Sequence, residues 1–204
     1  MNILYIVMPA YNQNNNMKNT VRLWYPILEG KSEKSRLVIA DSGSTDSTHD
    51  IILKMKKDYP KLEILSNTDK QHEPKVITLY NYSIEQGAEY IFQTDFDGQT
   101  NPDEFGRMRN KYDVILGNRV IREDGKSRIF VERIVCLLLK LYFGIKVPDA
   151  KAPFRLMNAK VIKKYINKLS IEYNLPNIMF TTYFVYYNEN IVFKKISFKP
   201  RQGV

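Results

Sequence analysis

The chain has 204 residues, enough for one domain with a buried core. Hydrophobic residues make up 44% and charged residues 26%, a globular balance, and the single cysteine, Cys136, excludes an internal disulfide framework or a multi-cysteine zinc site. The net charge of +9 divides into 13 basic against 15 acidic residues over 1–110 and 18 against 7 over 111–204, so the two halves face different chemistry.

Met1 to Pro9 show no basic leader and no small-residue cleavage site. No apolar run reaches the roughly 20 residues of a membrane span. The expected location is the cytoplasm or the cytoplasmic face of a membrane.

Ile3 to Met8 is a continuous apolar run ending at Pro9, the pattern of a parallel strand buried on both faces. Pro9-Ala10-Tyr11-Asn12 follows, and Tyr11 offers a ring that can stack on a base, or is one loop tyrosine among 14. A helical pattern covers about 17–29, through Val21, Leu23, Trp24, Ile27 and Leu28. Leu37 to Ala40 is the second buried strand and closes at Asp41, whose carboxylate can accept hydrogen bonds from a base or ribose. Ser44 or Thr45 caps the helix that carries Ile51, Ile52 and Met55, with Gly43 shaping the turn. Leu62 to Leu65 is a third strand. Residues 75–87 read as a helix stopped by Gly87. Tyr90 to Phe92 is the fourth strand and runs into Gln93-Thr94-Asp95-Phe96-Asp97-Gly98-Gln99; Val114 to Leu116 is the fifth and ends at Gly117.

Strands alternating with helices imply βαβ units, right-handed crossovers and an α/β fold built on a mostly parallel sheet. Ligands of such sheets bind beyond the carboxyl ends of the strands. Asp95 and Asp97 stand there, one residue apart, and in extended backbone both side chains point the same way. Two like charges held close repel, and a cation makes the arrangement favourable. Oxygen ligands of this kind suit Mg²⁺ or Mn²⁺, which use a few carboxylates together with substrate phosphate oxygens; Gln99 can add a neutral oxygen. The same letters also suit a plain acidic turn.

In the second half, residues 126–143 form an amphipathic helical pattern with Ile129, Phe130, Ile134, Val135, Leu137, Leu138, Leu141 and Tyr142 apolar and Arg128, Arg133 and Lys140 basic. Most of those apolar residues are expected against the sheet, with one end of the helix free to meet a membrane interface. Residues 158–168 and 177–188 read as two further helices, and Ile191 to Phe193 with Ile196 as a last strand. Residues 199–204 read as the beginning of a loop, the expectation for a chain cut from a longer one.

Taken in order, Pro-Ala-Tyr-Asn at 9–12, Asp-Ser-Gly-Ser-Thr-Asp at 41–46, Ala-Glu-Tyr-Ile-Phe-Gln-Thr-Asp-Phe-Asp-Gly-Gln at 88–99, Asn101-Pro102, Ile115 to Arg119, Gly144 to Asp149 and Phe154-Arg155 resemble glycosyltransferase family 2. The likeness spans nearly the whole chain and is strongest to its polyprenyl-phosphate glycosyltransferase, or dolichol-phosphate mannose synthase, branch. It implies a single GT-A domain over 1–204, with a nucleotide-binding half (1–110) and an acceptor-binding half (111–204). It implies that Pro9, Tyr11 and Asp41 hold the nucleoside of a sugar nucleotide, with Lys75 in the same donor set. Asp95 would lie near the ribose or metal, and Asp97 and Gln99 would ligate the metal that bridges the diphosphate. Arg119 and Arg128 would meet an acceptor phosphate, and Arg155 the diphosphate or acceptor.

The chain departs from the family pattern at Ser42, Gln13, Glu132 and the Lys-Ala-Pro before Phe154, which touches the acceptor and donor identities and leaves the metal motif intact. A phosphate acceptor is already ionised and needs no general base, whereas a sugar hydroxyl does. Residues 150–204 hold only Glu172 and Glu189 as acids and no base motif, which favours the phosphate; Asp149 or Glu172 would have to serve a hydroxyl. His49 and His72 are expected to be solvated. The basic half carries no nucleic-acid motif, so nucleic acid is not an expected partner.

Overall fold

The computed structural model describes residues 2–66, 72–108, 112–122, 125–171 and 173–199. Seven strands, β1 (Leu4–Ala10), β2 (Arg36–Asp41), β3 (Leu62–Leu65), β4 (Tyr90–Gln93), β5 (Val114–Arg122), β6 (Arg155–Asn158) and β7 (Ile191–Phe198), pair in the order β3-β2-β1-β4-β6-β5-β7. Every pairing is parallel except those of β6, which runs against β4 and β5. The helices are α1 (Asn14–Trp24), α2 (Thr48–Met55), α3 (His72–Glu85), α4 (Lys126–Phe143), α5 (Ala159–Tyr165) and α6 (Pro176–Tyr186).

The continuous apolar runs are explained by burial on both faces. In β1, Tyr5 and Val7 join Val38, Tyr80, Ile91, Phe180 and Phe184 on one side of the sheet. Ile6 and Met8 join Trp24, Ile39, Phe92 and Phe154 on the other. Alternation along the strand sends successive side chains to opposite layers, so both layers need apolar residues.

Several boundaries differ from the sequence expectation, each for a physical reason. The 17–29 helix begins at Asn14 and gives way to a 3₁₀ segment over Tyr25–Leu28, because Pro26 has no N–H to continue the α ladder. The 158–168 segment starts with strand β6, and the helix begins only at Ala159, where Asn158 caps it through Lys160 N. Within the Ser44-Thr45-Asp46 stretch expected to cap α2, it is Asp46 that accepts from Thr48 N at 2.9 Å, one residue before the N-cap Ser47, while the Ser44 hydroxyl turns to Asp41. Strand β5 runs well past Leu116, and Gly117 marks its closest approach. Gly117 N donates to Phe154 O at 2.8 Å, and a Cβ there would lie 2.6 Å from Ile196 Cδ1.

Helix α4 spans the residues expected of it, but its surroundings do not match. Leu139, Val135 and Cys136 pack with Ile145, Val147, Ala150 and Ile178 in a small separate cluster. Phe130, Val131, Ile134, Leu137, Leu138, Leu141, Tyr142 and Phe143 are exposed, Tyr142 by 79%. The helix is apolar on two sides and only one is covered, so the expectation that most of these residues pack on the sheet is corrected. Among the described residues, no helix is long and apolar enough to cross a membrane.

Candidate active site

The carboxyl ends of β1, β2 and β4 lie side by side, as the register Ala10↔Asp41 and Val7↔Gln93 requires. The loops that follow β1 and β2 are cross-bonded into one wall. Asn12, at φ 50, donates its N–H to Ser44 Oγ at 3.0 Å, and its side-chain oxygen accepts from Thr45 N at 2.8 Å. Gln13 N donates to Thr48 Oγ1 at 2.7 Å, and Asn14 N to Asp46 Oδ2 at 3.3 Å. A left-handed backbone at Asn12 is tolerated because its short amide completes the turn. Sequence reasoning passed over Asn12, although an Asn in a loop after a strand is a turn signal.

Several residues expected at the donor lie in or beneath this wall. Tyr11 is 48% exposed at the rim, with Lys75 Nζ 5.5 Å from its ring centroid, and its outer face is open for stacking. Pro9 lies inside β1, paired with Ala40 and buried, and forms part of the floor beneath the wall. Asp41 is 2% exposed; it accepts from Ser44 Oγ and lies 3.3 Å from His49 Nδ1, so its carboxylate organises the wall. His49 is therefore engaged through one ring nitrogen, against the expectation of simple solvation. Lys75 is fully buried and donates to Ala10 O at 2.7 Å and Ser42 O at 3.2 Å. Its ammonium staples the two loops together from beneath and is not presented to a diphosphate.

At the end of β4, Asp95 and Asp97 are half-buried. Gln99 N donates to Asp97 Oδ1 at 3.1 Å, closing a turn in which Gly98 adopts φ 72. Gln99 itself is buried; its side-chain nitrogen donates to Lys199 O at 2.7 Å and its carbonyl accepts from Lys199 N at 3.0 Å. It latches the acidic turn to the end of β7, a task the sequence did not suggest. Among the described residues, no cluster of three or more His, Cys, Asp or Glu side chains is gathered for a metal. A pair of carboxylates with further positions left to phosphate oxygens fits Mg²⁺ or Mn²⁺, which complete their shell with substrate and water.

The basic residues expected at the acceptor divide sharply. Arg119 is bidentate on Asp149, with Nε to Oδ2 at 2.7 Å and Nη2 to Oδ1 at 2.8 Å, and is stacked 5.1 Å from the Phe198 ring. Glu132, where a Ser or Thr was expected, accepts from Ala150 N at 2.7 Å and from Arg119 Nη2 at 3.5 Å. Together they fix the 149–151 loop between β5 and α4. Arg119 is thus internally neutralised, and the Asp149 carboxylate is held in the pair. Arg155 is fully buried and donates to Ala152 O at 2.9 Å, Ala150 O at 3.3 Å and Asn177 O at 2.8 Å, and also to Thr181 Oγ1. Burial lowers its pKa, while the Asp149 charge works the other way. It organises the loop before β6 and the first turn of α6. Arg128 is exposed on the first turn of α4. Glu172 lies outside the described residues, as does the His72 side chain.

Beside Asp95, a recess of 40 Å³ is lined by Val76, Lys151, Pro153 and the start of α6 from Leu175 to Ile178. A larger cavity of 610 Å³ lies at the opposite, amino-terminal ends of β1 and β4, near Leu4 and Tyr90. Its lining mixes Leu4, Ile27, Phe105 and Leu156 with Asn2, Glu29, Lys31 and Asp103, and neither Asp95 nor Asp97 is part of it.

A mostly parallel α/β sheet with cross-bonded loops after β1 and β2 and a carboxylate pair after β4 has the architecture of a GT-A fold. The chain belongs to glycosyltransferase family 2, whose model "Glycosyl transferase family 2" matches residues 5–166. It is 23% identical over 163 residues to an undecaprenyl-phosphate 4-deoxy-4-formamido-L-arabinose transferase of Salmonella choleraesuis, covering 77% of this chain and 49% of the relative. It is 23% identical over 177 residues to a dolichyl-phosphate beta-glucosyltransferase of Trichomonas vaginalis, covering 78% and 54%. The chain thus spans about half the length of these curated relatives. Its fold superposes on glucosyl-3-phosphoglycerate synthase from Mycobacterium tuberculosis with TM-score 0.72 at 13% identity, over 100% of this chain and 73% of that one. The same synthase has been solved with Mn²⁺, UDP-glucose and glycerol 3-phosphate, at TM-score 0.70.

Proposed function

We propose that this chain is a metal-dependent glycosyltransferase that moves a sugar from a nucleoside diphosphate to a polyprenyl phosphate or similar anionic lipid. The observation that carries the reading is the Asp95/Asp97 pair beyond the carboxyl end of β4, beside a wall bearing an exposed Tyr11. Tyr11 stacks on the base, and Asp95 and Asp97 hold Mg²⁺ or Mn²⁺ against the donor diphosphate. The cation supplies Lewis acidity that stabilises charge on the departing diphosphate. An acceptor phosphate oxygen forms its bond to the anomeric carbon as the bond to the diphosphate oxygen breaks, with inversion, and the nucleoside diphosphate leaves with the electron pair.

An anionic acceptor suits the acids of the second half. Asp149 and Glu132 are tied to Arg119 and to backbone N–H groups, and Glu189 accepts from Tyr165 at 2.6 Å and Lys164 at 2.9 Å. A phosphate attacks without a base. The names of the two curated relatives include undecaprenyl phosphate and dolichyl phosphate, which supports the lipid. Of the three arginines expected at the acceptor, Arg128 is the one exposed for its headgroup. The uncovered face of α4, with exposed Arg128, Arg133 and Lys140 around it, lies on an anionic bilayer surface at the cytoplasmic side.

Incubation with Mn²⁺ and a panel of sugar nucleotides, with and without polyprenyl phosphate, tests this. Nucleoside diphosphate release stimulated by the lipid is expected. Release stimulated only by a glycan would exclude the lipid acceptor.

A further inference from the structure

We infer that the end of β7 positions the metal site: Gln99 holds the Asp97 carboxylate in place because Gln99 is itself latched to the main chain of Lys199. The inference rests on the reading of Asp95 and Asp97 as the carboxylates that hold the cation.

Three hydrogen bonds link the two places. Gln99 N donates to Asp97 Oδ1 at 3.1 Å. Gln99 O accepts from Lys199 N at 3.0 Å, and Gln99 Nε2 donates to Lys199 O at 2.7 Å. The orientation of the side-chain amide is dictated by chemistry, since Lys199 O can only accept and must face the NH₂. Gln99 is 3% exposed, and its partner lies 100 residues further along the chain. Lys199 directly follows Phe198, the last residue of β7, which is paired with Arg122 of β5. The latch therefore ties the acidic turn to an eight-residue strand at the edge of the sheet.

The turn has reason to need such an anchor. It follows β4, a strand of only four residues, and Gly98 within it adopts φ 72. A glycine gives up more conformational freedom on ordering than any other residue, so the turn does not hold its own shape cheaply. A carboxylate that meets Mg²⁺ or Mn²⁺ has to arrive in a narrow range of orientations, and hydrogen bonds to the ligating carboxylate set that range. The Gln99 N–H makes such a bond, and its position is fixed from Lys199 on two sides. Gln99 is thus a positioning residue, and the Lys199 main chain acts through it. Linkage makes the effect reciprocal: whatever the latch adds to cation binding, the bound cation returns to the latch.

The test uses the full chain and the Mn²⁺ concentration that half-saturates binding of radiolabelled UDP or GDP in equilibrium dialysis, with the folding of each variant checked by its melting temperature. Lys199→Pro removes the N–H that bonds Gln99 O and leaves Asp95, Asp97 and Gln99 intact. Gln99→Ala removes the other bond of the latch, and Lys199→Ala keeps the main chain. Lys199→Pro and Gln99→Ala are each expected to raise the half-saturating Mn²⁺ concentration about fivefold to tenfold, near the low end for partners that orient a metal ligand, and Lys199→Ala to stay within about twofold. In the wild type, Mn²⁺ with the nucleotide is expected to slow hydrogen exchange at the Lys199 amide, a readout that needs no variant to fold. Lys199→Pro with the Mn²⁺ requirement of the wild type would overturn the inference and leave the Asp95/Asp97 site standing, as would exchange at Lys199 that ignores the metal. If the wild type shows no Mn²⁺-dependent binding of either nucleotide, the reading of the aspartates falls, and this inference with it.

Discussion

Replacing Arg155 by Met removes the buried cation while keeping an unbranched side chain in place. Ala152 O loses its donor at 2.9 Å. Thr181 Oγ1 lies 3.0 Å from Ala150 O and 2.8 Å from Asn177 O, but its one proton can serve only one of them. Asn177 O keeps the Thr181 N–H of the α6 ladder and the Thr181 hydroxyl can serve Ala150 O, so one buried carbonyl, Ala152 O, is left unpaired, at about 1–3 kcal/mol. Relief of the guanidinium's own desolvation returns part of that, since burial is the main influence lowering its pKa. The net expectation is a loss of about 1–3 kcal/mol, which for a domain of this size lowers Tm by roughly 2–4 °C per kcal/mol. Thermal and urea unfolding of wild type, Arg155→Met and Arg155→Lys measures it. A Met variant within about 0.5 kcal/mol of wild type would refute the claim that Arg155 is the scaffold of this loop.

Gly117→Ala places a Cβ 2.6 Å from Ile196 Cδ1 and 3.1 Å from Phe154 Cβ, and should cost about 1–3 kcal/mol in urea unfolding; an unchanged midpoint would show that Ile196 simply yields. Cys136 is half-buried and, through burial and the nearby Glu132 carboxylate, its thiol is pushed up to about 11. Iodoacetamide labelling at pH 8 should therefore run about a hundredfold slower than for a thiol of pKa 9 and accelerate as pH rises towards 11. Labelling at the free-thiol rate would contradict this. Burial works to raise the Asp46 pKa, but hydrogen bonds from Thr48 and Asn14 outweigh it and hold the carboxyl below its ordinary value. Its stabilisation is then present above the usual carboxylate range and lost as pH falls through the folded value. Asp46→Ala should cost about 1 kcal/mol at pH 7 and progressively less in acid, read by urea unfolding across pH.

Much of this fold was legible because β1, β2 and β4 are buried on both faces, which leaves an unbroken apolar run that loops do not imitate. Strand β6 was not legible: Arg155-Leu-Met-Asn is short, opens on a charge and abuts Ala159, so it merges into the helix pattern. The same limit governs α4. Apolar residues on two sides of a helix read identically whether one side or both are covered, and only the fold reveals that Leu137, Leu141 and Tyr142 are uncovered. In the site, the position of Asp95 and Asp97 followed from the strand that precedes them. The roles of Arg119 and Arg155 did not, because a basic residue near a strand end does not announce whether its partner is a ligand or its own chain. For Arg119 that partner is Asp149, thirty residues later.

The account's central claim is that Asp95 and Asp97 grip a cation which in turn grips the donor diphosphate. The most direct measurement is Mn²⁺-dependent binding of UDP and GDP to wild type and to Asp97→Asn, an isosteric change that removes one charge. The account predicts that at least one of these nucleotides binds the wild type only when Mn²⁺ is present, and that the variant loses this metal-dependent binding while its melting temperature holds. Metal-dependent nucleotide binding that survives undiminished in Asp97→Asn would contradict it.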